Sequence, residues 1–311
     1  MKRFIILIFS IFLLSGCYNY NDLENIDIVS SISIDYKDEY KVNIEVINDE
    51  KSSYYSGNGS TISECFEVIK LEAPNELHLS HLNIVAFTKN VDLKELINYF
   101  LRSPKVNNTF YFIFTDDIDN KINGDKLFKI LKNQNVYNFF NIVKRLNSDI
   151  SILIPYLKDN SINSGYLFSN YESKKEIDYE TVEVYKLLDN IDNSYFNISD
   201  ISFETNNVST VISYSDTFNL YINFNINILE NNSKFKLDND NDVLLLESII
   251  NKNLENKIYN FINILKENNS DIFGFNNILK NKYHNDNYKF YDKDFNIVVS
   301  GHISKKGLLT R

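Results

Sequence analysis

Isoleucines 26, 28, 32 and 34 recur at alternate positions, as do Tyr40, Val42, Ile44 and Val46, and the polar run Tyr36-Lys37-Asp38-Glu39 lies between the two sets. Period-two alternation gives a strand one buried and one wet face, so residues 26 to 47 predict a hairpin with its turn at 36 to 39. The polar, glycine-containing residues 51 to 60 predict a loop. Thr61 and Glu64 have the spacing of a capping box, Ile62, Phe66 and Ile69 form one stripe behind it, and Pro74 stops the helix. Residues 82 to 88 predict a largely buried strand. Leu93, Leu96, Ile97, Phe100 and Leu101 lie on one face of a helix that Ser103-Pro104 ends. Thr109 to Thr115 predicts an aromatic strand, and residues 121 to 160 predict helix up to Pro155.

The polar residues Asp189 to Asn193 predict a connection, and the pattern then changes to long strands. Phe218, Leu220, Ile222, Phe224, Ile226 and Ile228 alternate without a break. Val243, Leu246, Ile250, Leu254, Ile258, Phe261 and Leu265 mark the apolar face of a long helix, and Phe295, Ile297 and Val299 predict a closing strand. The mixed order predicts an α+β protein of several small domains, with antiparallel sheets covered by helices rather than regular βαβ units. The divisions expected are 1–16, then 17–192, divisible into two small domains, then 193–311, a sheet with a helix over 243–266.

The first sixteen residues do not fit this scheme. Lys2 and Arg3 precede an apolar run from Phe4 to Leu14, and Ser15-Gly16 lead to Cys17. A positive start, an apolar core and small residues at a cleavage point make a secretory signal peptide, and the run is shorter than the ~20 residues that span a bilayer. A cysteine directly after the small residues is the bacterial lipobox. Cys17 is therefore expected to carry an S-diacylglycerol after cleavage, with its new α-amino group open to N-acylation. Two acyl chains anchor a protein stably where one does not.

The charge of -10 excludes nucleic acid as a partner, since that needs a basic face. It also disfavours adsorption on an anionic membrane, so attachment would rest on the lipid. Besides Cys17 there is only Cys65, which allows no internal disulfide and reads as a buried thiol. His78 and His81 have i, i+3 spacing, but a strand is expected from residue 82 onward and no cysteine or third histidine lies near. Asp238, Asp240 and Asp242 resemble the start of a calcium loop, yet Val243 and Ile249 stand where it needs Gly and Glu. Asp116, Asp117 and Asp119 fail similarly. No phosphate loop, dinucleotide fingerprint or nucleophile elbow is present in the sequence. The expectation is a non-enzyme with no catalytic residue, cofactor or metal.

Four segments, in order, resemble the Ger(x)C lipoproteins, the C subunits of bacterial spore germinant receptors. The first runs from Gly16-Cys17 through Ile34-Asp35, with Tyr18-Asn19 where the family has Trp-Asp. The second, Thr61 to Phe87, has Ser80-His81-Leu82 where the family has Gly-His before a strand. The third is Tyr99-Phe100-Leu101-Arg102-Ser103-Pro104. The fourth, Ser270-Asp271-Ile272-Phe273-Gly274-Phe275, precedes Lys282-Tyr283. Residues 120 to 215 match poorly. The resemblance implies three small α/β domains, two integral-membrane partners (the A and B subunits), and residence on the outer face of the plasma membrane, which in the spore is its inner membrane. It supplies no ligand-binding residue. Asp271 to Phe275 reads either as a partner contact or as core after a glycine turn. A solute-binding lipoprotein would share Cys17 but should show alternating βα units around a cleft. A structural envelope lipoprotein would lack the four segments.

Overall fold

The computed structural model describes residues 26–305 except 49, 50, 104, 120, 149, 160 and 286. Cys17 and the signal peptide expected over 1–16 lie outside the described residues.

The first part of the chain builds a nine-stranded sheet. Its elements are β1 (Ile26–Tyr36), β2 (Tyr40–Asn48), β3 (Lys51–Gly59), α1 (Ile62–Glu72), β4 (Glu76–His78), β5 (Ile84–Phe87), α2 (Leu93–Arg102), β6 (Tyr111–Thr115), α3 (Gly124–Asn133), α4 (Phe139–Leu146), β7 (Ile152–Lys158), β8 (Ser161–Ser169) and β9 (Glu172–Ile177). The order is β3-β2-β1-β5-β6-β7-β8-β9, with β4 beside β1. The β1–β2 hairpin forms as expected. The core is parallel, however: β1, β5, β6 and β7 run in one direction, and β7-β8-β9 return antiparallel.

Parallel strands are covered on both faces, and this removes the wet face expected of β1. Ser30, Ser31 and Ser33 are all buried. Val29, Ile32 and Ile34 share one core with Ile62, Ile69, Leu96 and Phe100 of α1 and α2. On the other face Ser30 donates to Asp125 at 3.2 Å, and Ser31 donates to the Ile122 carbonyl at 3.0 Å.

Three local expectations are corrected. Residues 51 to 59 of the expected loop form strand β3, because their backbone pairs with β2 along its length from Asn48↔Lys51 to Tyr40↔Gly59. At Gly57 the helix α1 comes so close that a Cβ would lie 2.4 Å from the Cys65 carbonyl oxygen. Residues 121 to 160 are two short helices followed by β7. Pro155 lies inside that strand, outside the ladder to β6, which begins at Tyr156. Leu101 points to solvent, 50% exposed, while the rest of the α2 stripe is buried. The capping box forms with a shift: Thr61 Oγ1 accepts the Glu64 N–H at 3.1 Å, but the Glu64 carboxylate takes the N–H of Ser60 at 2.8 Å.

The remainder comprises α5 (Tyr179–Leu188), β10 (Tyr195–Ile198), β11 (Ile201–Tyr214), β12 (Phe218–Asn231), α6 (Asp240–Glu267), α7 (Phe275–Tyr283) and β13 (Phe295–Lys305). The strands form a sheet ordered β10-β11-β12-β13, with β12 and β13 parallel. The six alternating apolar residues of β12 face the apolar stripe of α6 in one core. Each such side chain contributes about 1.5–3 kcal/mol when fully buried. The free edge of β13 is closed by side chains of α6. Asn251 accepts the Gly301 N–H at 2.8 Å and donates to its carbonyl at 3.3 Å. Glu247 accepts the Ile303 N–H at 2.7 Å, and Tyr259 donates to the Phe295 carbonyl at 2.9 Å. Residue 301 must be glycine at this crossing, since a Cβ there would sit 2.4 Å from the Phe224 ring and 2.9 Å from Asn251 Oδ1. The class is thus α+β with two mixed sheets.

Candidate functional site

The segment that resembled a family motif, 270–275, lies where the two sheets meet. Helix α6 is capped at Asn268, the chain turns through Asn269 at φ 49°, and Asp271 enters the interior, 4% exposed. The N-cap position of α7 falls on Gly274, which has no side chain, and Asp271 supplies the cap instead. Its carboxylate accepts the N–H groups of Phe275 at 2.8 Å and Asn276 at 2.7 Å. Burial raises the Asp271 carboxyl above the ordinary aspartate range; these backbone N–H groups pull it back only in part. Phe275 is fully buried and Phe273 half-buried, both within the second sheet's core. Placement in the core is therefore correct for Phe275.

The same segment is bonded to the first sheet. The Asp271 carbonyl accepts the N–H of Ser151 at 2.9 Å, just before β7, and the Asn269 carbonyl accepts from Ser169 Oγ at 3.2 Å. Arg145, on α4, donates to the Ile272 carbonyl and to the Tyr137 hydroxyl at 2.9 Å, and stands 3.7 Å from Asp189. Tyr137 and Tyr185 both donate to Asp189 Oδ2, at 2.5 and 2.9 Å. Burial and the Asp189 charge push the Tyr137 hydroxyl up to about 12 and raise Tyr185 as well, so both stay neutral donors across the physiological range. The Arg145 and Asp189 side chains are 18% and 13% exposed. Removing one partner of such a pair typically costs about 3–5 kcal/mol. Beside the network is a cavity of about 60 Å³, lined by Leu153, Pro155, Gly165, Val182 and the rings of Tyr137 and Tyr185.

This arrangement is a latch. It joins helix α4, strand β7 and the turn before α7 through one guanidinium, one carboxylate and two phenols. Sequence reasoning found Asp271 to Phe275 but missed Arg145, Tyr137 and Asp189. Asp189 was legible only as part of a polar connection, and nothing in the sequence tied it to an arginine 44 residues earlier.

The other candidates are scattered. His78 is on β4 with Nε2 4.0 Å from Glu76, and His81 is exposed in the following turn. Asp240 and Asp242 sit in the first turn of α6, where Asp242 accepts the Lys236 N–H at 2.9 Å. Asp116 accepts the Tyr156 hydroxyl, Asp117 the Asp119 N–H, and Asp119 pairs with Lys41. Among the described residues no group of three or more His, Cys, Asp or Glu could hold a metal. Cys65 is fully buried, and burial raises its thiol.

Residues 19–159 match the family "Spore germination protein N-terminal domain", and residues 122–307 match "Spore germination B3/GerAC like, C-terminal". The spore germination protein GerQC of Bacillus cereus is 24% identical over 324 residues, covering 88% of this chain and 89% of that protein. The crystal structure of the GerBC protein superposes with a TM-score of 0.58 at 13% identity, over 88% of this chain and 97% of that one. At that identity the likeness speaks for the fold.

Proposed function

The chain belongs to the Ger(x)C family of spore germination proteins, and from that premise we propose that it is the lipid-anchored C subunit of a nutrient germinant receptor, acting by binding its membrane partners rather than by chemistry. The observation that carries this is the pair of family matches, which together run from residue 19 to residue 307. Among the described residues no helix is long and apolar enough to cross a membrane. In this reading attachment falls to two acyl chains on Cys17, on the outer face of the plasma membrane, the inner membrane of the spore. Tethering confines the domain to the membrane plane and raises its effective concentration near the integral-membrane A and B subunits. Modest affinity then suffices for a lasting complex.

The test joins three measurements in the producing bacterium. Intact mass should show diacylglycerol on Cys17, and Cys17→Ala should leave the membrane fraction when the partners are deleted. Spores lacking the gene should lose the response to at least one nutrient, and the membrane subunits should co-purify with the wild-type chain. Normal germination with every nutrient, together with no co-purifying subunit, overturns the proposal and leaves a structural or solute-binding envelope lipoprotein.

A further inference from the structure

Parallel strands share one end. β1, β4, β5, β6 and β7 all start at the same end of the first sheet, so the segments that feed them converge there. Helix α1 stops at Glu72 just before β4, and α2 stops at Arg102 before β6. Helix α4 is fixed to that end by two bonds: the Phe139 N–H donates to the Phe110 carbonyl at 2.8 Å, and the Phe140 N–H to the Asn108 carbonyl at 3.3 Å. Ile69, Phe100, Phe139 and Ile142 of the three helices join one core, so all three helices lie on the same face of the sheet.

Each of these helices leaves a large apolar side chain in solvent at that end. Leu71 is 88% exposed, Phe140 59% and Leu101 50%. They are exposed with the second sheet in place, so the rest of the described chain does not cover them. The segments that carry them do not share the acidity of the whole. Over 67–76, 101–109 and 139–148, Lys70 pairs with Glu67, Lys105 with Glu76 and Arg145 with Asp189. Among the described residues of these segments that leaves Arg102 and Lys144 against Glu72. Exposed leucine and phenylalanine beside exposed cations is the composition of a surface that lies in a lipid interface.

The point at which the chain arrives says what covers this end. β1 begins there at Ile26, nine residues after Cys17. Nine residues reach at most about 30 Å when fully stretched, whereas the eleven residues of β1 alone extend about 35 Å. A lipid on Cys17 therefore holds the Ile26 end toward the bilayer and cannot stand the domain on its Tyr36 end.

We propose that the N-terminal end of the first sheet rests on the lipid surface, with Leu71, Leu101 and Phe140 in the interface and Arg102 and Lys144 on phosphate headgroups. The proposal rests on the Cys17 anchor and adds an orientation to it. The acyl chains supply attachment. Once they hold the domain close, weak contacts at this end suffice to fix which surface meets the membrane.

The test supplies the tether artificially. The chain from residue 18, with a histidine tag in place of Cys17, is bound to vesicles of phosphatidylcholine, phosphatidylglycerol and a nickel-chelating lipid. Leu71→Cys, Leu101→Cys, Phe140→Cys, Tyr36→Cys and Val298→Cys, made singly, carry a polarity-sensitive dye; Cys65 is fully buried and stays unlabelled. At the first three positions emission should shift to the blue and be quenched by nitroxide lipids. At Tyr36 on the far end and Val298 on the second sheet, 41% and 43% exposed, neither should change. Replacing Leu71, Leu101 and Phe140 together by serine, all at exposed positions, should lower the vesicle affinity about tenfold through the loss of immersed apolar area. No dye response at the three sites, an equal response at Tyr36 and Val298, or an unchanged affinity of the serine variant overturns the lipid contact. Because this tether does not need Cys17, a failure of the anchor itself shows separately, in the intact mass of the native chain.

Discussion

Replacing Phe275 by alanine separates a core residue from a partner anchor. Phe275 is fully buried, and its ring centroid lies 4.9 Å from Phe218, 5.2 Å from Phe295, 5.5 Å from Phe290 and 5.7 Å from Phe273. A buried phenylalanine cut to alanine costs about 3–5 kcal/mol, through lost transfer energy and the cavity left behind. Ring pairs at these separations add about 0.5–1.5 kcal/mol each beyond the buried area, so a cost of about 4 kcal/mol or more is expected. With a urea slope of about 3 kcal/mol/M for a chain this long, a loss of about 4 kcal/mol lowers the midpoint by about 1.3 M. Total stabilities are about 5–15 kcal/mol, so the variant should remain folded but be visibly weakened. The assay is urea unfolding of the chain beginning after Cys17, followed by circular dichroism and tyrosine fluorescence. Phe273→Ala, at a half-buried position, should cost clearly less. A Phe275→Ala chain within about 1 kcal/mol of wild type that nevertheless loses its membrane partners would refute the reasoning and make Phe275 an interface anchor.

Asp271 makes a prediction about pH. Burial raises its folded-state pKa above the unfolded value of about 3.9, so the stability it adds is full below that value and is lost as pH rises through the raised one. The stability of wild type relative to Asp271→Asn, from urea unfolding at a series of pH values, should therefore shrink from acid toward neutral pH; a gap that widens would contradict the assignment. Asn251→Ala removes both bonds to the buried Gly301 backbone, which should cost about 1–3 kcal/mol and leave a strand edge open to self-association. Unchanged stability together with concentration-independent sedimentation would show that the edge is protected by other means.

What the sequence made legible was period and punctuation. The unbroken alternation of β12 and the long stripe of α6 were read correctly because each element buries a single face, and a single buried face leaves a pattern. β1 is covered on both faces, so its serines gave the false signal of a wet side. β3 carries too few apolar residues for any period to register; its register with β2 and the clearance at Gly57 define it. Pro155 misled because proline more often ends a helix than sits in a strand. The latch was half legible. Asp271 to Phe275 could be seen as a unit, but Arg145, Tyr137 and Asp189 meet it only through tertiary contacts that no local spacing encodes.

The latch also orders events in time. The Arg145 guanidinium and the Ile272 carbonyl that it grips are 127 residues apart in sequence. A chain synthesised from its N-terminus delivers α4, β7 and Asp189 long before residues 269 to 277 emerge. Until then Arg145 lacks one acceptor, and Ser151, just before β7, and Ser169, at the end of β8, lack the carbonyls to which they donate. Contacts of such separation slow folding, because loop closure must precede any gain from them. Synthesis of the last forty or so residues thus becomes the step that commits the earlier half to its final packing, and a nonsense codon shortly before Asp271 would leave the first sheet, although wholly synthesised, without these bonds.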